Sequence, residues 1–235
     1  MSIYVKNVSI HSKKFPTEKQ YPFNIPLFHE TSHIHFDYPI TFFVGENGSG
    51  KSTLLEAIAR ACGIYIWKNE NYTRYTTNNF ETMFYRYISV EWSNGKVSGS
   101  FFGSDIFRDF ARYLDSWAAS DPGQLKYFGG ESLITKSHGQ SLMSFFRNRY
   151  KIEGIYFLDE PETALSPNSQ LELLDILATN SNNGHAQFII ATHSPILLAC
   201  KNAQIYNFDQ PIVKPIEYTE TKHYKIYRDF LSNFD

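Results

Sequence analysis

Cysteines, long apolar runs and net charge are all scarce in this sequence. Its two cysteines, Cys62 and Cys200, form no C-x-x-C pattern, so we expect thiols in a reducing compartment rather than a disulfide framework. No run of about 18 apolar residues occurs, so the sequence predicts no membrane-spanning helix. The net charge of −2 argues against a strongly basic nucleic-acid clamp. Because the first residues alternate like a strand and lack an apolar signal core, we expect a cytoplasmic protein.

Internal repeats, low-complexity segments and sustained heptads are also absent, so we expect no coiled-coil tether. With 235 residues, 42% of them hydrophobic and 17% aromatic, the chain can bury a substantial core, and we predict a single domain over residues 1–235. Residues from about 104 to 150 are expected to form a helical lobe inserted in that domain. Residues 85–102 are predicted to form a hairpin that turns at Ser93–Lys96, and Ser104 is predicted to cap the helix that follows.

The most informative feature present is a glycine-rich run that matches the pattern G-x-x-x-x-G-K-[ST] in full. It follows an apolar segment, residues 40–44, and precedes a segment of helical composition, residues 53–62. Glycines let backbone N–H groups curl around phosphate oxygens, and a helix N-terminus adds partial positive charge. The pattern predicts that Lys51 reaches the β- and γ-phosphates of a nucleotide and that Ser52 holds Mg²⁺. A glycine-rich turn with a chance lysine is the alternative. The predicted nucleotide-binding residues of this run are Gly45, Glu46, Asn47, Gly48, Ser49, Gly50, Lys51, Ser52 and Thr53.

Two adjacent carboxylates end a second apolar segment, residues 154–158. A strand this apolar is predicted to be buried on both faces of a parallel sheet, whose carboxyl edge is where ligands bind. Asp159 is therefore predicted to hold Mg²⁺ beside the P-loop. Glu160 lies one residue beyond Asp159, so its side chain is expected to point in a different direction. It is predicted to polarise the attacking water as a general base. A solvated acidic turn is the alternative.

A third apolar segment, residues 188–191, leads to His193. From the end of a buried strand, this histidine could donate a hydrogen bond to a γ-phosphate or position a water molecule. A structural histidine is the alternative.

The segment Lys136-Ser137-His138-Gly139-Gln140 resembles the signature motif of ABC-type ATPases, usually written LSGGQ. Its serine, second glycine and glutamine match the motif, whereas a lysine and a histidine replace the leucine and the first glycine. In that family the segment contacts the γ-phosphate held by the other subunit. A polar helix cap is the alternative.

The order of these motifs, with a D-loop-like segment at residues 163–167, resembles that of ABC-type ATPases over about residues 40–200. More narrowly, the sequence is similar to small stand-alone ATPases related to SMC and RecF-type heads. This resemblance implies an α/β P-loop NTPase fold with a mostly parallel central sheet, an antiparallel β subdomain and a helical lobe. It implies ATP as the nucleotide, Mg²⁺ as the metal and an ATP-dependent head-to-tail homodimer, with Lys51, Glu160 and His193 as catalytic residues and Ser137, Gly139 and Gln140 as nucleotide contacts.

Three interpretations of the larger function stay open. The first is an ATPase that serves nucleic-acid maintenance or defence, with nucleic acid or an effector protein as partner. The second is the ATP-binding subunit of a membrane transporter, and the third is an ATP-dependent interaction module without turnover. No Q-loop glutamine can be assigned between the P-loop and the signature, which argues against a membrane partner. The interval contains one glutamine, Gln124, which lies late, and the weak candidates for the metal- or water-holding role are Thr76, Thr77 and Glu91.

One small basic patch, Arg147, Arg149 and Lys151, follows the signature-like segment. A local patch of this kind could contact nucleic acid. We favour the alternative that it is a solvated helix end.

Overall fold

The structure, a computed structural model, describes residues 2–67, 80–128, 130–134 and 138–233. Ser137, Lys136, Thr76 and Thr77 therefore lie outside the described residues. The strands are β1 (Val5–Ile10), β2 (His33–His35), β3 (Ile40–Val44), β4 (Ile88–Trp92), β5 (Gly99–Gly103), β6 (Gly154–Asp159), β7 (Ala186–Ala191), β8 (Gln204–Asn207) and β9 (Lys214–Pro215). The helices are α1 (Pro26–Glu30), α2 (Lys51–Ala61), α3 (Phe107–Ala118), α4 (His138–Arg149), α5 (Pro167–Asn182), α6 (Pro195–Leu198) and α7 (Lys222–Ser232). Short 3₁₀ turns cover Ser12–Lys14, Glu81–Tyr87, Pro122–Phe128, Pro161–Ala164 and Tyr218–Glu220.

A six-stranded sheet with the order β5-β6-β7-β3-β8-β9 forms the centre of the fold. All neighbouring strands in it are parallel except β8 and β9, which are antiparallel. β3 is buried at all five positions and β7 at all six, as expected for parallel strands that are covered on both faces. The predicted α/β fold with a mostly parallel sheet is therefore confirmed. The apolar segments 40–44, 154–158 and 188–191 lie in β3, β6 and β7.

Alternate residues of the central strands point into two separate hydrophobic clusters, because successive side chains of a strand face opposite sides. Phe43 and Ile189 belong to the cluster that contains α2 and the apolar residues of β1, β2 and β4. Phe42 and Phe188 belong to the other cluster, which contains the buried faces of α3, α4, α5 and α6. The sheet thus separates a layer around α2 from a layer of helices.

A three-stranded antiparallel sheet, ordered β2-β1-β4, covers the α2 side and is tied to the central sheet by Gln187. Gln187 lies on β7 and is fully buried. Its Oε1 accepts hydrogen bonds from the backbone N–H groups of Tyr4 (2.9 Å) and Val5 (2.8 Å), and its Nε2 donates to the Val5 carbonyl (2.9 Å). A buried amide is stable here because the edge of β1 satisfies three of its hydrogen-bonding sites.

The predicted hairpin over residues 85–102 is wrong. β4 pairs with β1 in the three-stranded sheet, whereas β5 pairs in parallel with β6 in the central sheet. The turn at Ser93–Lys96 therefore connects two sheets rather than two partners. An alternating pattern identifies a strand, but the choice of partner depends on which edge is available in the folded chain.

The predicted N-cap Ser104 is also wrong. α3 begins at Phe107, its N-cap is Ile106, and no side chain caps it. The Ser104 hydroxyl instead donates to the carbonyl of Glu160 at 3.1 Å. Phe107, Ala111 and Leu114 form the buried apolar face of α3.

The two cysteines are free thiols, Cys62 buried and Cys200 partly buried. Burial raises the pKa of Cys62 to about 12 and that of Cys200 to about 11, which keeps both thiols protonated and poorly reactive. Over the described parts of the chain, no helix has the length and apolar character needed to cross a membrane. The single-domain assignment and the bounds of the helical lobe, residues 104–150, stay predictions.

Candidate functional site

The carboxyl ends of three adjacent parallel strands bring the predicted site residues together. The P-loop follows β3, Asp159 ends β6, and His193 comes two residues after β7, which lies between them. In the register of the sheet, Ala191 is opposite both Asp159 and Phe43, so the three strands end at one level. This edge is where ligands bind in open α/β sheets.

The P-loop passes into α2 through two glycines with left-handed backbone, Gly48 (φ 80°) and Gly50 (φ 96°). A Cβ atom on Gly50 would lie 2.9 Å from the Phe28 ring, so only glycine fits there. Gly50 is the N-cap of α2, and Lys51 is its first residue. The sequence pattern therefore produces a tight turn directly at a helix N-terminus, where backbone N–H groups are open to an anion.

Lys51 is buried inside the curl of the P-loop. Its Nζ donates to the carbonyl oxygens of Gly45 (2.8 Å) and Glu46 (2.9 Å). Burial lowers the pKa of the Lys51 ammonium group, while the nearby carboxylates of Glu160 and Asp159 act in the opposite direction. A buried cation surrounded by carbonyls is suited to a phosphate group, which would replace part of its lost hydration.

Ser52 and Asp159 lie in contact at the start of α2. The Ser52 Oγ donates to Asp159 Oδ1 at 2.8 Å. Burial raises the pKa of Asp159 to about 7, although the Ser52 hydrogen bond acts against this shift. The donor set is oxygen only, and no group of three or more histidine, cysteine or acidic side chains able to hold a metal occurs in the described ranges. One hydroxyl and one carboxylate fit Mg²⁺, which is held by few protein ligands together with substrate phosphates and water.

Glu160 has an unusual backbone for a non-glycine residue, with φ 46° and ψ 54° in the left-handed region. Pro161 follows at once and begins the 3₁₀ turn Pro161–Ala164. The side chain is directed to the histidine side of the edge, since Glu160 Oε1 lies 3.7 Å from His193 Nε2. Backbone held in this sparsely populated region costs about 1 kcal/mol or more, and such strain is concentrated at functional sites.

His193 is held through both its backbone and its ring. Its N–H donates to Glu162 Oε1 at 2.6 Å, and its Nδ1 lies 3.1 Å from Nε2 of His223. Burial lowers the pKa of His193, and the charges of Lys51 and His223 add to this. Burial also raises the pKa of the Glu162 carboxyl. The His193 imidazole is therefore neutral at neutral pH.

A cleft of about 470 Å³ lies over these groups. Its lining residues are Tyr21, Asn47, Gly48, Gly50, Lys51, Ser52, Thr53, Glu160 and His193. The predicted residues Glu46 and Ser49 shape the loop from outside: the Ser49 N–H donates to the Glu46 carbonyl (3.2 Å), and the Glu46 N–H donates to Asp209 Oδ1 (2.7 Å). The cleft thus joins the P-loop, Glu160 and His193 in one space, and Asp159 contacts one of its lining residues, Ser52.

The signature-like segment is not part of this cleft. Gly139 and Gln140 begin α4 and line a separate cleft of about 440 Å³ with Ser169 and Glu172 of α5. A Cβ atom on Gly139 would lie 3.5 Å from the Ala164 carbonyl, so the segment lies against the D-loop-like turn. Within one chain, the structure does not bring these residues to Lys51.

Ser166 is the N-cap of α5, and a serine followed by a proline is a local pattern that favours such a cap. Its Oγ accepts from the Ser169 N–H at 3.2 Å, and Pro167 occupies the first helical position. The D-loop-like turn therefore ends at a capped helix.

Four functional candidates were missed by sequence reasoning. Tyr21 lines the cleft and is hydrogen-bonded to Thr53, although its segment indicates only a turn. Lys222, His223 and Asp209 come from the last part of the chain: Lys222 Nζ lies 3.3 Å from Asp209 Oδ2 and 3.6 Å from Glu46 Oε1. No local pattern could have identified them, because each contact joins residues far apart in sequence.

The residues that follow β5 lie beside the site. β5 ends at Gly103 opposite Asp159, and Ser104 then contacts the Glu160 carbonyl. Glu91 is exposed on β4 in the other sheet.

The basic patch is engaged within the chain. Arg147 forms an ion pair with Glu172 (2.5 Å), and Arg149 donates to the Gly99 carbonyl (3.1 Å). Two of its three members are thus held by the protein itself, in line with the interpretation as a helix end.

Comparisons with known proteins concern the family and the fold of the chain. A family model described as an AAA domain matches residues 23–195. An ATP-binding cassette of an ABC transporter has a TM-score of 0.50 and 14% sequence identity, covering 96% of this chain and 99% of that chain. The SMC head domain from Thermotoga maritima has a TM-score of 0.49 and 17% identity, covering 92% and 100%. A part of the ABC transporter complex cbiONQ from Clostridium perfringens has a TM-score of 0.47 and 16% identity, covering 87% and 89%. No curated protein matches the chain.

The structural likeness, at these identities, concerns the fold alone. The family match is stronger evidence, because it spans more than half of the chain and contains the P-loop, Asp159, Glu160 and His193. The chain therefore belongs to the AAA-domain family, and its fold is that of a P-loop ATP-binding cassette.

Proposed function

We propose that this protein binds ATP with Mg²⁺ and hydrolyses it to ADP and phosphate through an ATP-driven head-to-tail homodimer. One observation carries the proposal: Lys51, Ser52, Asp159, Glu160 and His193, from three separate motifs, converge at the carboxyl edge of β3, β6 and β7. A structural role for any one motif would not require this convergence. Hydrolysis also agrees with membership of an ATPase family.

The P-loop would bind the phosphates. Its N–H groups and the N-terminus of α2 face the cleft, and Lys51 would transfer its hydrogen bonds from loop carbonyls to phosphate oxygens. Ser52 and Asp159 would hold Mg²⁺, which supplies charge neutralisation at the phosphates.

Glu160 would act as the general base. It accepts a proton from a water molecule as the water oxygen attacks the γ-phosphorus and ADP leaves. His193, neutral and with Nε2 3.7 Å from Glu160 Oε1, would donate a hydrogen bond to the γ-phosphate on the same side of the site.

The second protomer would supply the signature-like segment. Ser137, Gly139 and Gln140 would contact the γ-phosphate across the dimer, with the positive end of the twelve-residue helix α4 directed at the anion. Supporting this, Gly139 and Gln140 line a cleft of their own and are exposed or half-buried in the single chain. Because the γ-phosphate contributes these contacts only in the closed dimer, ATP would favour that state and hydrolysis would release it.

The experiment that tests the proposal is the mass of the Glu160→Gln variant in solution, with and without ATP and Mg²⁺, by light scattering after size exclusion. We expect the 27.2 kDa chain to double its mass only when both are present, because ATP is bound but not cleaved. The Glu91→Gln variant, with its exposed carboxylate on β4, is the matched control and should hydrolyse ATP at the wild-type rate.

Two outcomes would contradict the proposal. Hydrolysis at the wild-type rate by Glu160→Gln would show that Glu160 is not the base. A mass that stays at that of one chain, although ATP is bound, would show that the signature-like segment does not contact the nucleotide of a second protomer.

We also propose a nucleic-acid load for the ATPase, on the sequence resemblance to SMC and RecF-type heads. An effector protein is the alternative partner, and a membrane partner is not proposed. Arg147 and Arg149 carry no part of this proposal, since both are bonded within the chain. DNA-stimulated turnover tests it. We place the protein in the cytoplasm and treat residues 1–235 as one domain with a helical lobe at about residues 104–150.

A further inference from the structure

The beginning of α7 lies against the nucleotide cleft. His223 Nε2 is 3.1 Å from His193 Nδ1, and the two ring centroids are 5.2 Å apart. The position is defined, because Thr221 is buried and caps α7 by accepting the Tyr224 N–H at 3.2 Å. Lys222 adds ion pairs to the P-loop residue Glu46 and to Asp209. The first turn of α7 is therefore attached to both the histidine and the P-loop.

Both imidazoles are neutral at neutral pH. Burial lowers the pKa of His223 and of His193. The charged groups that face His223 are Glu46, Lys51, Asp209 and Lys222. The two carboxylates raise the pKa of His223 and the two lysines lower it, so their effects oppose each other. A neutral imidazole carries one N–H and one bare nitrogen, so one ring must donate to the other.

The outer nitrogens show which ring donates. His223 Nδ1 is buried and has no hydrogen-bond partner among the described residues. Each arrangement of the two protons leaves one buried outer N–H, on His223 Nδ1 or on His193 Nε2, and neither atom has a hydrogen-bond partner among the described residues. Of the two, His193 Nε2 is the one with a carboxylate at ion-pair distance, Glu160 Oε1 at 3.7 Å, so the outer N–H costs less there. His223 therefore carries its proton on Nε2 and donates it to His193 Nδ1. The proton of His193 must then be on Nε2, which lies 3.7 Å from Glu160 Oε1 and has no closer partner in the described chain.

We propose that His223 is a positioning residue that keeps the His193 proton on Nε2, on the side of the nucleotide cleft. The inference rests on the proposed ATPase function for its consequence: only with this tautomer can His193 donate to a γ-phosphate. It also gives α7, which carries none of the sequence motifs, a part in the site. A displacement of α7 would free Nδ1 of His193 and release the tautomer.

The first test reads the tautomer directly and needs no turnover. Nitrogen-15 NMR of histidine rings distinguishes an N–H from a bare nitrogen, and the His193→Gln variant identifies the His193 signals. We expect wild-type His193 to have Nε2 protonated and Nδ1 bare, and His223→Ala to give a mixture of tautomers. A wild-type His193 with its proton on Nδ1 would overturn the proposal.

The second test separates positioning from packing. We expect His223→Ala to lower kcat about tenfold, as for the groups that orient metal-ligating histidines, with KM for ATP unchanged. His223→Gln, whose terminal amide can donate from near the Nε2 position, should recover most of the loss. The control His185→Gln removes an exposed histidine before β7 and should leave kcat unchanged. Equal losses in the alanine and glutamine variants, or a rise in KM alone, would overturn the positioning role.

Failure of the two proposals can be told apart. A wild-type protein that binds but never hydrolyses ATP contradicts the proposed function, and the NMR result still decides the role of His223. If His223→Ala does not fold, as judged by its thermal transition, the wild-type tautomer and the glutamine variant decide the question.

Discussion

The nucleotide cleft and the signature-like segment are built in different ways, although each is encoded by a short motif. The cleft lies at the ends of three hydrogen-bonded strands, so the sheet register places Lys51, Asp159 and His193 together. The signature-like segment begins a helix that packs on the other layer and lies against Ala164. The sheet thus brings the cleft residues together within one chain, whereas the signature-like segment would reach a nucleotide only in a second chain, as we propose.

The largest effect should come from the cleft. Lys51→Ala removes the buried ammonium group from the loop, and we expect turnover to fall on the order of a thousandfold, with weaker ATP binding. Steady-state hydrolysis and calorimetric titration measure the two effects. Lys201→Ala, at an exposed turn, is the control. Wild-type turnover in Lys51→Ala would mean that the cleft is not the phosphate site.

The next effect should come from the signature-like segment, and it should act in trans. Gly139→Glu places a negative charge where an anion is proposed to dock, and a Cβ atom fits there because its nearest neighbour is 3.5 Å away. We expect a loss of about a hundredfold in turnover.

Mixing the Gly139→Glu and Lys51→Ala variants tests whether the segment acts on the cleft of the other protomer. Half of the dimers would be mixed, and each mixed dimer would hold one intact site, so about a quarter of the turnover should return. If activity returns at no mixing ratio, the segment does not act on the other protomer's cleft.

A smaller effect concerns stability and pH. Burial raises the pKa of Asp159 from its ordinary 3.8 to about 7. Between these pH values the folded chain keeps a proton that the unfolded chain releases, so this group stabilises the nucleotide-free protein less as pH rises, and the full loss is reached above pH 7. Asp159→Asn cannot ionise, so at pH 8 we expect it to be more stable than wild type, on the order of 2 kcal/mol.

Urea unfolding at pH 5 and pH 8 without nucleotide measures this difference. Asp175→Asn, on the exposed side of α5, is the control and should follow the wild-type pH dependence. Parallel pH curves for Asp159→Asn and wild type would show that the folded-state pKa of Asp159 is ordinary.

The smallest effect should come from the turn between the two regions. Ser166→Ala removes the N-cap of α5 and should cost about 1 kcal/mol, a fall of roughly 2–4 °C in Tm. Ser166→Asp keeps an acceptor for the Ser169 N–H and should retain most of the stability. Equal Tm values for the alanine variant and wild type would show that the cap does not stabilise α5.

Much of the fold was predictable because its signals are local. Continuous apolar runs predicted β3, β6 and β7 as buried strands, and the glycine pattern predicted the turn into α2. The predicted hairpin over residues 85–102 was wrong because the choice of strand partner is not a local property of the sequence. Both of its strands exist, but β5 gains more from the buried edge of β6 than from β4, and no local pattern states that choice.

The candidate site shows the same division. The P-loop, Asp159, Glu160 and His193 were evident from the sequence. The structure places the P-loop, Glu160 and His193 around one cleft, with Asp159 in contact with Ser52. Tyr21 and His223 were not, since they reach the site across 32 and 30 residues of chain. The signature assignment stays a prediction: Gly139 and Gln140 face away from this cleft, and Ser137 lies outside the described residues.

Local sequence specifies the elements whose free energy depends on neighbouring residues: the left-handed glycines of the P-loop, the capped start of α5 and the buried apolar strands. Contacts between distant segments decide which strands pair, that Ser104 contacts Glu160 instead of capping α3, and that His223 holds the ring of His193. The physical reason is that these contacts join distant residues, and their stability depends on burial and hydrogen bonding in the whole molecule.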